Sequence, residues 1–255
     1  MSRIAYVNGR YRPHATAQVH IEDRGYQFAD GVYEVFSIHQ SRLVGEKGHL
    51  DRLAHSLAEL RIEMPVSRRV LGVITRELVR RNRVRDGLVY LQITRGVAKR
   101  DHSFPENTES SMVLTARQSA PLDKDSLRRG VGVITLPDIR WKRHDIKSVA
   151  LLPNILGKQQ AREAGAFEAW LVDDDAMVTE GTSTSTAEPQ RSGRAQGPWT
   201  HAHRSHVRMA ARADFAMAFY NPRSKSRPHQ FAEALEILRA ECGPERLITF
   251  ARAVT

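Results

Sequence analysis

From Thr186 to Gln230 the chain holds no leucine and no isoleucine, and Val207 is its only valine. A folded domain draws its core from such residues, so the core here must be supplied before that stretch. The stretch carries seven arginines and four histidines among many Ala, Ser and Pro. Such a composition buries too little apolar surface to offset the conformational entropy of ordering it. One expectation is a shift of reading frame just after Ser183, because Arg, Ala, Pro, Ser and His are what an out-of-frame GC-rich gene tends to encode. The other is a divergent or disordered tail. Comparison of the gene's other frames separates the two. Phe231 to Arg239 regains an apolar pattern before the chain ends.

Upstream the pattern is regular. Ile4 to Tyr11 alternates around Asn8-Gly9, a strong two-residue hairpin signal. His49 to Ile62 carries Leu50, Leu53, Leu57 and Leu60 at helical spacing, and Ser67 to Val84 repeats it through Val70, Leu71, Ile74, Leu78 and Val79. Asp86-Gly87 turns the chain into a predicted buried strand, Leu88 to Thr94, and Ser111 to Thr115 reads as another. Gln118 to Asp123, with Pro121, is the expected linker. Beyond it a strand is predicted at Gly132 to Thr135, and a helix over Asn154 to Ala164, capped by Gly165. Ala169 to Val172 and Ala176 to Val178 read as a hairpin around three aspartates.

The charge of the 255-residue chain is +10, but its bases are interleaved with acids. The densest basic run, Arg80-Arg81-Asn82-Arg83-Val84-Arg85, falls at a predicted helix end, where the dipole favours cations. That reading is preferred to a nucleic-acid patch, and a positive field also suits anionic cofactors and carboxylate substrates. No apolar run is long enough to cross a membrane, and the first residues lack a signal peptide's apolar stretch. The single cysteine, Cys242, excludes an internal disulfide, which agrees with a cytoplasmic location. No metal site is expected.

Several phrases carry more specific information. They are Glu22-Asp23-Arg24-Gly25-Tyr26-Gln27-Phe28-Ala29-Asp30-Gly31-Val32-Tyr33-Glu34, His49-Leu50-Asp51-Arg52-Leu53, Thr94-Arg95-Gly96 with Arg100-Asp101-His102, Asp145-Ile146-Lys147-Ser148, and Val178-Thr179-Glu180-Gly181-Thr182-Ser183. In wording and order, from about Tyr6 to Ser183, the chain resembles the class IV (fold type IV) pyridoxal-phosphate aminotransferases, and among them the D-amino-acid enzymes. After Ser183 it departs from them: the family's later strands, second phosphate-binding turn and following helix have no counterpart phrase.

The resemblance implies a role for each matching residue. Lys147 would hold pyridoxal 5'-phosphate covalently and move the proton at the substrate's α-carbon, which needs an amine of lowered pKa. On spacing alone it reads as a surface lysine, and Lys142 and Lys158 stand outside the matching phrase. Glu180 would pair with the pyridine nitrogen, and Thr182 and Ser183 would border the phosphate or ring. Arg52 lies about 100° around its helix from Leu53, so it is free to reach a partner outside the core; the resemblance makes that partner the cofactor phosphate. Tyr33, Arg100 and His102 would hold the substrate carboxylate, the Arg-x-His pair coming across a dimer interface.

The expectation is a two-domain α+β protein of the class IV aminotransferase fold. It divides into an N-terminal α/β domain over 1–118 and a cofactor domain over 119–255 that is family-like only to about 183 and then incomplete or aberrant. As a homodimer it would transfer amino groups between a D-amino acid and a 2-oxo acid. The alternatives are a branched-chain aminotransferase or aminodeoxychorismate lyase of the same class, and a non-catalytic remnant with a frameshifted last third.

Overall fold

Asn8 and Gly9 both adopt positive φ (43° and 87°), as a tight hairpin of this kind requires. The computed structural model describes residues 3–119, 131–174 and 178–183, with residues 236, 237 and 240. In it, β1 (Ile4–Val7) and β2 (Arg10–Pro13) pair across this turn, Val7 opposite Arg10. They join β3 (Gly31–His39), β4 (Arg42–Leu43), β5 (Gly87–Thr94) and β6 (Ser111–Gln118). The sheet is antiparallel throughout, in the order β2-β1-β6-β5-β3-β4. The short helix α1 (Arg24–Phe28) precedes β3 and is capped by the Asp23 carboxylate, which accepts from the Gly25 N–H at 2.8 Å.

Two longer helices supply the rest of this core. In α2 (Glu46–Glu59), Leu50, Leu53 and Leu57 are buried; in α3 (Arg68–Asn82), Leu71, Ile74, Leu78 and Val79 are. They join Val32, Phe36, Val89, Leu91, Ile93 and Leu114 of the sheet in one apolar cluster. The helix α2 starts about a turn before the predicted His49, because Gly45 begins it in the left-handed region (φ 65°) and its first turn contributes no core residue. Ser67 caps α3 by accepting from the Val70 N–H, and Val70 itself is exposed, on the flank of the stripe centred on Leu71 and Leu78. Arg80 and Arg81 occupy the last turn of α3 and pair with Glu77, each at 2.7 Å, which fits the helix-end reading of that basic run.

The chain divides into two compact units. The first comprises Met1–Pro121 and Trp141–Leu151, so the segment bearing Lys147 packs with the N-terminal sheet. A single boundary after residue 118 would have assigned it to the second. The second unit comprises Leu122–Arg140 and Leu152–Thr255. Its sheet has the order β7-β8-β9, from β7 (Val133–Pro137), β8 (Glu168–Val172) and β9 (Val178–Gly181). Strands β7 and β8 run parallel, α4 (Leu152–Glu163) precedes β8, and β9 returns antiparallel as the predicted hairpin does. Gly165 follows α4 at φ 69°. Pro121 in the expected linker, Asp175 to Met177 of the hairpin and the whole of Thr186 to Gln230 lie outside the described residues.

Candidate active site

Lys147 sits where the edge of β3 would otherwise be open. The Tyr33 N–H donates to the Lys147 carbonyl at 3.0 Å, and the Val149 N–H donates to the Gly31 carbonyl at 3.1 Å. Gly31 also packs closely on the other side, where a β-carbon would lie 2.8 Å from the Ile93 carbonyl oxygen of β5. From the other side, the Lys147 N–H donates to the buried Ser56 hydroxyl of α2 at 3.1 Å, and Ile146 enters the core. The backbone of the lysine is thus held by both the sheet and a helix.

Its amine reaches 3.3 Å from the Tyr33 hydroxyl and lies 4.4 Å from the centre of that ring. Burial, followed by the charge of Arg52, lowers its pKa to about 8, and Glu34 opposes the shift. At neutral pH this leaves about 300-fold more neutral amine than an ordinary lysine has, and a neutral amine is what attacks a carbonyl. Tyr33 stacks on Tyr90, with ring centres 5.8 Å apart. Burial, and then Tyr33, push the Tyr90 phenol up to about 12, so it remains a donor, and it bonds the Gln92 side-chain oxygen at 2.7 Å.

The charged groups that act on the Lys147 amine are Arg52 and Glu34, the second a residue given no role on sequence grounds. Strand alternation puts Glu34 on the core face with Val32 and Phe36, and its side chain is 0 % exposed. Arg52 meets it with a two-pronged bond, Nε to Oε1 at 2.7 Å and Nη2 to Oε2 at 2.8 Å, and the His49 Nδ1 lies 2.8 Å from Oε2. Burial opposes ionisation of Glu34, but the hydrogen bonds of Arg52 and His49 outweigh it and hold its carboxyl below the usual range. Nη1 of Arg52 lies outside this fork, and the side chain is 45 % exposed. Removing one partner of such a pair leaves the other unmatched in a partly desolvated place. Glu34→Ala is therefore expected to cost about 3 kcal/mol, the lower end for broken buried pairs because Arg52 is partly solvated. Chemical denaturation checks this; a loss below about 0.5 kcal/mol would show that the pair contributes little.

The lowered pKa gives a second expectation. Reactivity of Lys147 toward a carbonyl reagent should rise with pH and reach half its maximum near pH 8. Arg52→Gln removes the cation that favours the neutral amine, so the midpoint should move up toward the ordinary lysine value. A midpoint that stays put in this variant, followed by mass spectrometry of the labelled peptide, would exclude Arg52 as a cause.

Arg100 and His102 are exposed on the segment between β5 and β6. Both lie against Phe28: the Arg100 guanidinium carbon is 5.1 Å from its ring centre, and the His102 ring 5.5 Å.

In the second unit, Glu180 lies on β9 opposite Leu171, and its carboxylate forms a close ion pair with Arg140. Arg140 also forks onto Asp138, from Nε at 2.9 Å and from Nη2 at 2.8 Å. The hydroxyls of Thr182 and Ser183 donate to the buried carboxylate of Glu168, that of Ser183 at 2.6 Å, and the Ser183 N–H donates there at 3.1 Å. Burial opposes ionisation of Glu168, but Ser183 and Thr182 outweigh it and lower its pKa. Arg140 and Glu168 went unnoticed in the sequence. The even spacing of Glu34 with Val32 and Phe36, and of His49 with Arg52 one helical turn on, could have revealed the first cluster. No comparable local signal marks the second.

The amino-transferase class IV family model matches residues 31–186. The D-alanine aminotransferase of Bacillus licheniformis is 44% identical over 178 residues, which cover 70% of this chain and 62% of that relative. The D-alanine aminotransferase of Listeria monocytogenes serotype 4b is 40% identical over 198 residues, covering 77% and 67%. The chain thus spans slightly less than two thirds of the Bacillus licheniformis relative. Among solved structures, the Escherichia coli branched-chain amino acid aminotransferase is similar in fold, with a TM-score of 0.66 at 16% identity over 86% of this chain and 77% of that one. The 4-amino-4-deoxychorismate lyase of Pseudomonas aeruginosa reaches 0.58 at 21% identity over 70% and 64%. The matched residues include the β3 edge, the helix bearing Arg52, Lys147 and the β8–β9 hairpin, and on these grounds the chain belongs to the class IV aminotransferases.

Proposed function

We propose that this chain holds pyridoxal 5'-phosphate on Lys147 and transfers amino groups between a D-amino acid and a 2-oxo acid. The observation that carries the proposal is the Lys147 amine itself, lowered to about pKa 8 and 3.3 Å from the Tyr33 hydroxyl. A desolvated amine beside a guanidinium fits an anionic carbonyl cofactor, which needs a neutral nucleophile and a positive charge for its phosphate. When bound, that cofactor supplies an electron sink that makes the α-hydrogen of an amino acid acidic.

The chain's own residues do the rest. Lys147 would hold the cofactor at its carbonyl carbon with loss of water, and its amine, displaced by the amine of the substrate, would accept and return the α-proton. The Tyr33 hydroxyl orients that amine and, with Arg100 and His102, holds the substrate carboxylate. Arg52 is proposed to meet the phosphate through the edge of its guanidinium that Glu34 does not use. Glu180, fixed by Arg140, supplies the carboxylate for the pyridine nitrogen, and Thr182 and Ser183 supply hydroxyls for the cofactor's surroundings. The Arg-x-His pair is proposed to act across a homodimer. A cytoplasmic location belongs to the same reading; among the described residues no helix is long and apolar enough to cross a membrane.

Purified protein mixed with the cofactor should develop a visible absorbance that borohydride bleaches, and a separate, unreduced sample should convert D-alanine with 2-oxoglutarate. Preference for L-valine or L-leucine over every D-amino acid would overturn the substrate assignment and favour a branched-chain enzyme. Absence of any reducible link would overturn the cofactor assignment.

A further inference from the structure

Arg100 and His102 are exposed side chains, and an exposed arginine gives up much rotamer freedom when it is fixed on a ligand. A clamp made of such residues works best if something holds it in place beforehand. We propose that Phe28 is a positioning residue for this clamp, with Arg24 as the strut that anchors its loop; this rests on the reading that Arg100 and His102 hold the substrate carboxylate.

The geometry converges on one ring. Phe28 ends α1, and the guanidinium carbons of Arg24 and Arg100 lie 4.8 and 5.1 Å from its centre, while the His102 ring is tilted 56° to it at 5.5 Å. A guanidinium stacks through its face and binds a carboxylate through its edge, so contact with Phe28 leaves the N–H fork of Arg100 available. The platform is itself fixed. Arg24 is one helical turn before Phe28, its side chain is 4 % exposed, and its Nη1 donates at 2.6 Å to the carbonyl of Asp101, the residue between the clamp pair. Its Nε donates to Asp30 at 2.8 Å. Asp30 also receives Arg95, from Nε at 2.7 Å and Nη2 at 3.0 Å, and Arg95 ties in turn to the carbonyls of Leu60 and Arg61. Burial opposes ionisation of Asp30, but Arg95 and Arg24 outweigh it and hold its carboxyl below the usual range, so the frame keeps its charge balance. Arg100 and His102 both reach Phe28, while the Asp101 carboxylate between them accepts from the Ser103 N–H at 3.1 Å.

The test compares Phe28→Leu, Phe28→Tyr and Arg100→Ala, and combines Phe28→Leu with Arg100→Ala, in cofactor-loaded protein. Phe28→Leu should raise KM for D-alanine about tenfold, with kcat and cofactor uptake within about twofold, because the stacking contact is lost and the chemistry is not. Phe28→Tyr keeps the ring and should restore KM. In the Arg100→Ala background, Phe28→Leu should add less than about twofold, as coupled residues do. An equal tenfold effect in both backgrounds, or no effect in either, overturns the inference. If Arg100→Ala alone leaves KM unchanged, the clamp reading fails first and the inference falls with it. A second measurement is independent of turnover. Proton NMR should show the His102 ring resonance, assigned with His102→Gln, shifted by the Phe28 ring current and moving on addition of pyruvate. The shift should vanish in Phe28→Leu, and a resonance that is the same in both proteins would overturn the placement.

Discussion

Lys147→Ala protein should carry no borohydride-trapped cofactor, and its transamination should fall by about 10⁴-fold or more, because the proposal gives one side chain both the covalent attachment and the proton transfer. The other lysines near in sequence are poor substitutes. Lys158 donates to the Phe167 carbonyl at 2.5 Å and faces Glu168 at 3.6 Å, so its amine is already engaged elsewhere. Lys142 is exposed. Peptide mapping after reduction decides the matter: label retained in the variant on Lys142 or Lys158 would remove Lys147 from the mechanism.

Arg100→Ala should lower kcat/KM for D-alanine by about 100-fold, the size expected when two charge-assisted hydrogen bonds to a carboxylate are lost. His102→Ala should do less, since it removes a single contact. Cofactor uptake should be unchanged in both, because the pair is proposed to touch only the substrate. An equal loss of cofactor uptake and turnover would show instead that the loop supports the fold.

Local patterns made much of the first unit legible. Asn8-Gly9 encodes its turn through positive φ, and the leucines of α2 and α3 encode their buried faces through spacing. The start of α2 was not legible because its first turn, Glu46 to His49, carries no apolar residue. Among site residues, Lys147, Tyr33, Glu180 and Arg52 stood out through resemblance, and the partners of Arg52 and Glu180 did not. The partner of Arg52 is Glu34, 18 residues away, and that of Glu180 is Arg140, 40 residues away. Which carboxylate a cation chooses depends on the folded path between them; spacing along β3 and α2 shows that Glu34 and Arg52 lie on faces that could meet, but it does not pair them. Thr182 and Ser183 make the same point, since a nearby strand brings Glu168 to their hydroxyls.

The attachment of Lys147 also bears on the order in which the protein assembles. The strands β3, β5 and β6 pair within residues 31–118, whereas the Lys147 N–H meets Ser56 across 91 residues and its amine meets Tyr33 across 114. Closing so long a loop costs only slightly more entropy than closing a shorter one, but contacts of high sequence separation form slowly. The sheet and its two helices can therefore gather first and offer a preformed edge, onto which the lysine segment docks afterwards. During refolding, strand and helix signals should be regained before the ability to capture a carbonyl, so chemical competence marks the end of folding in this unit.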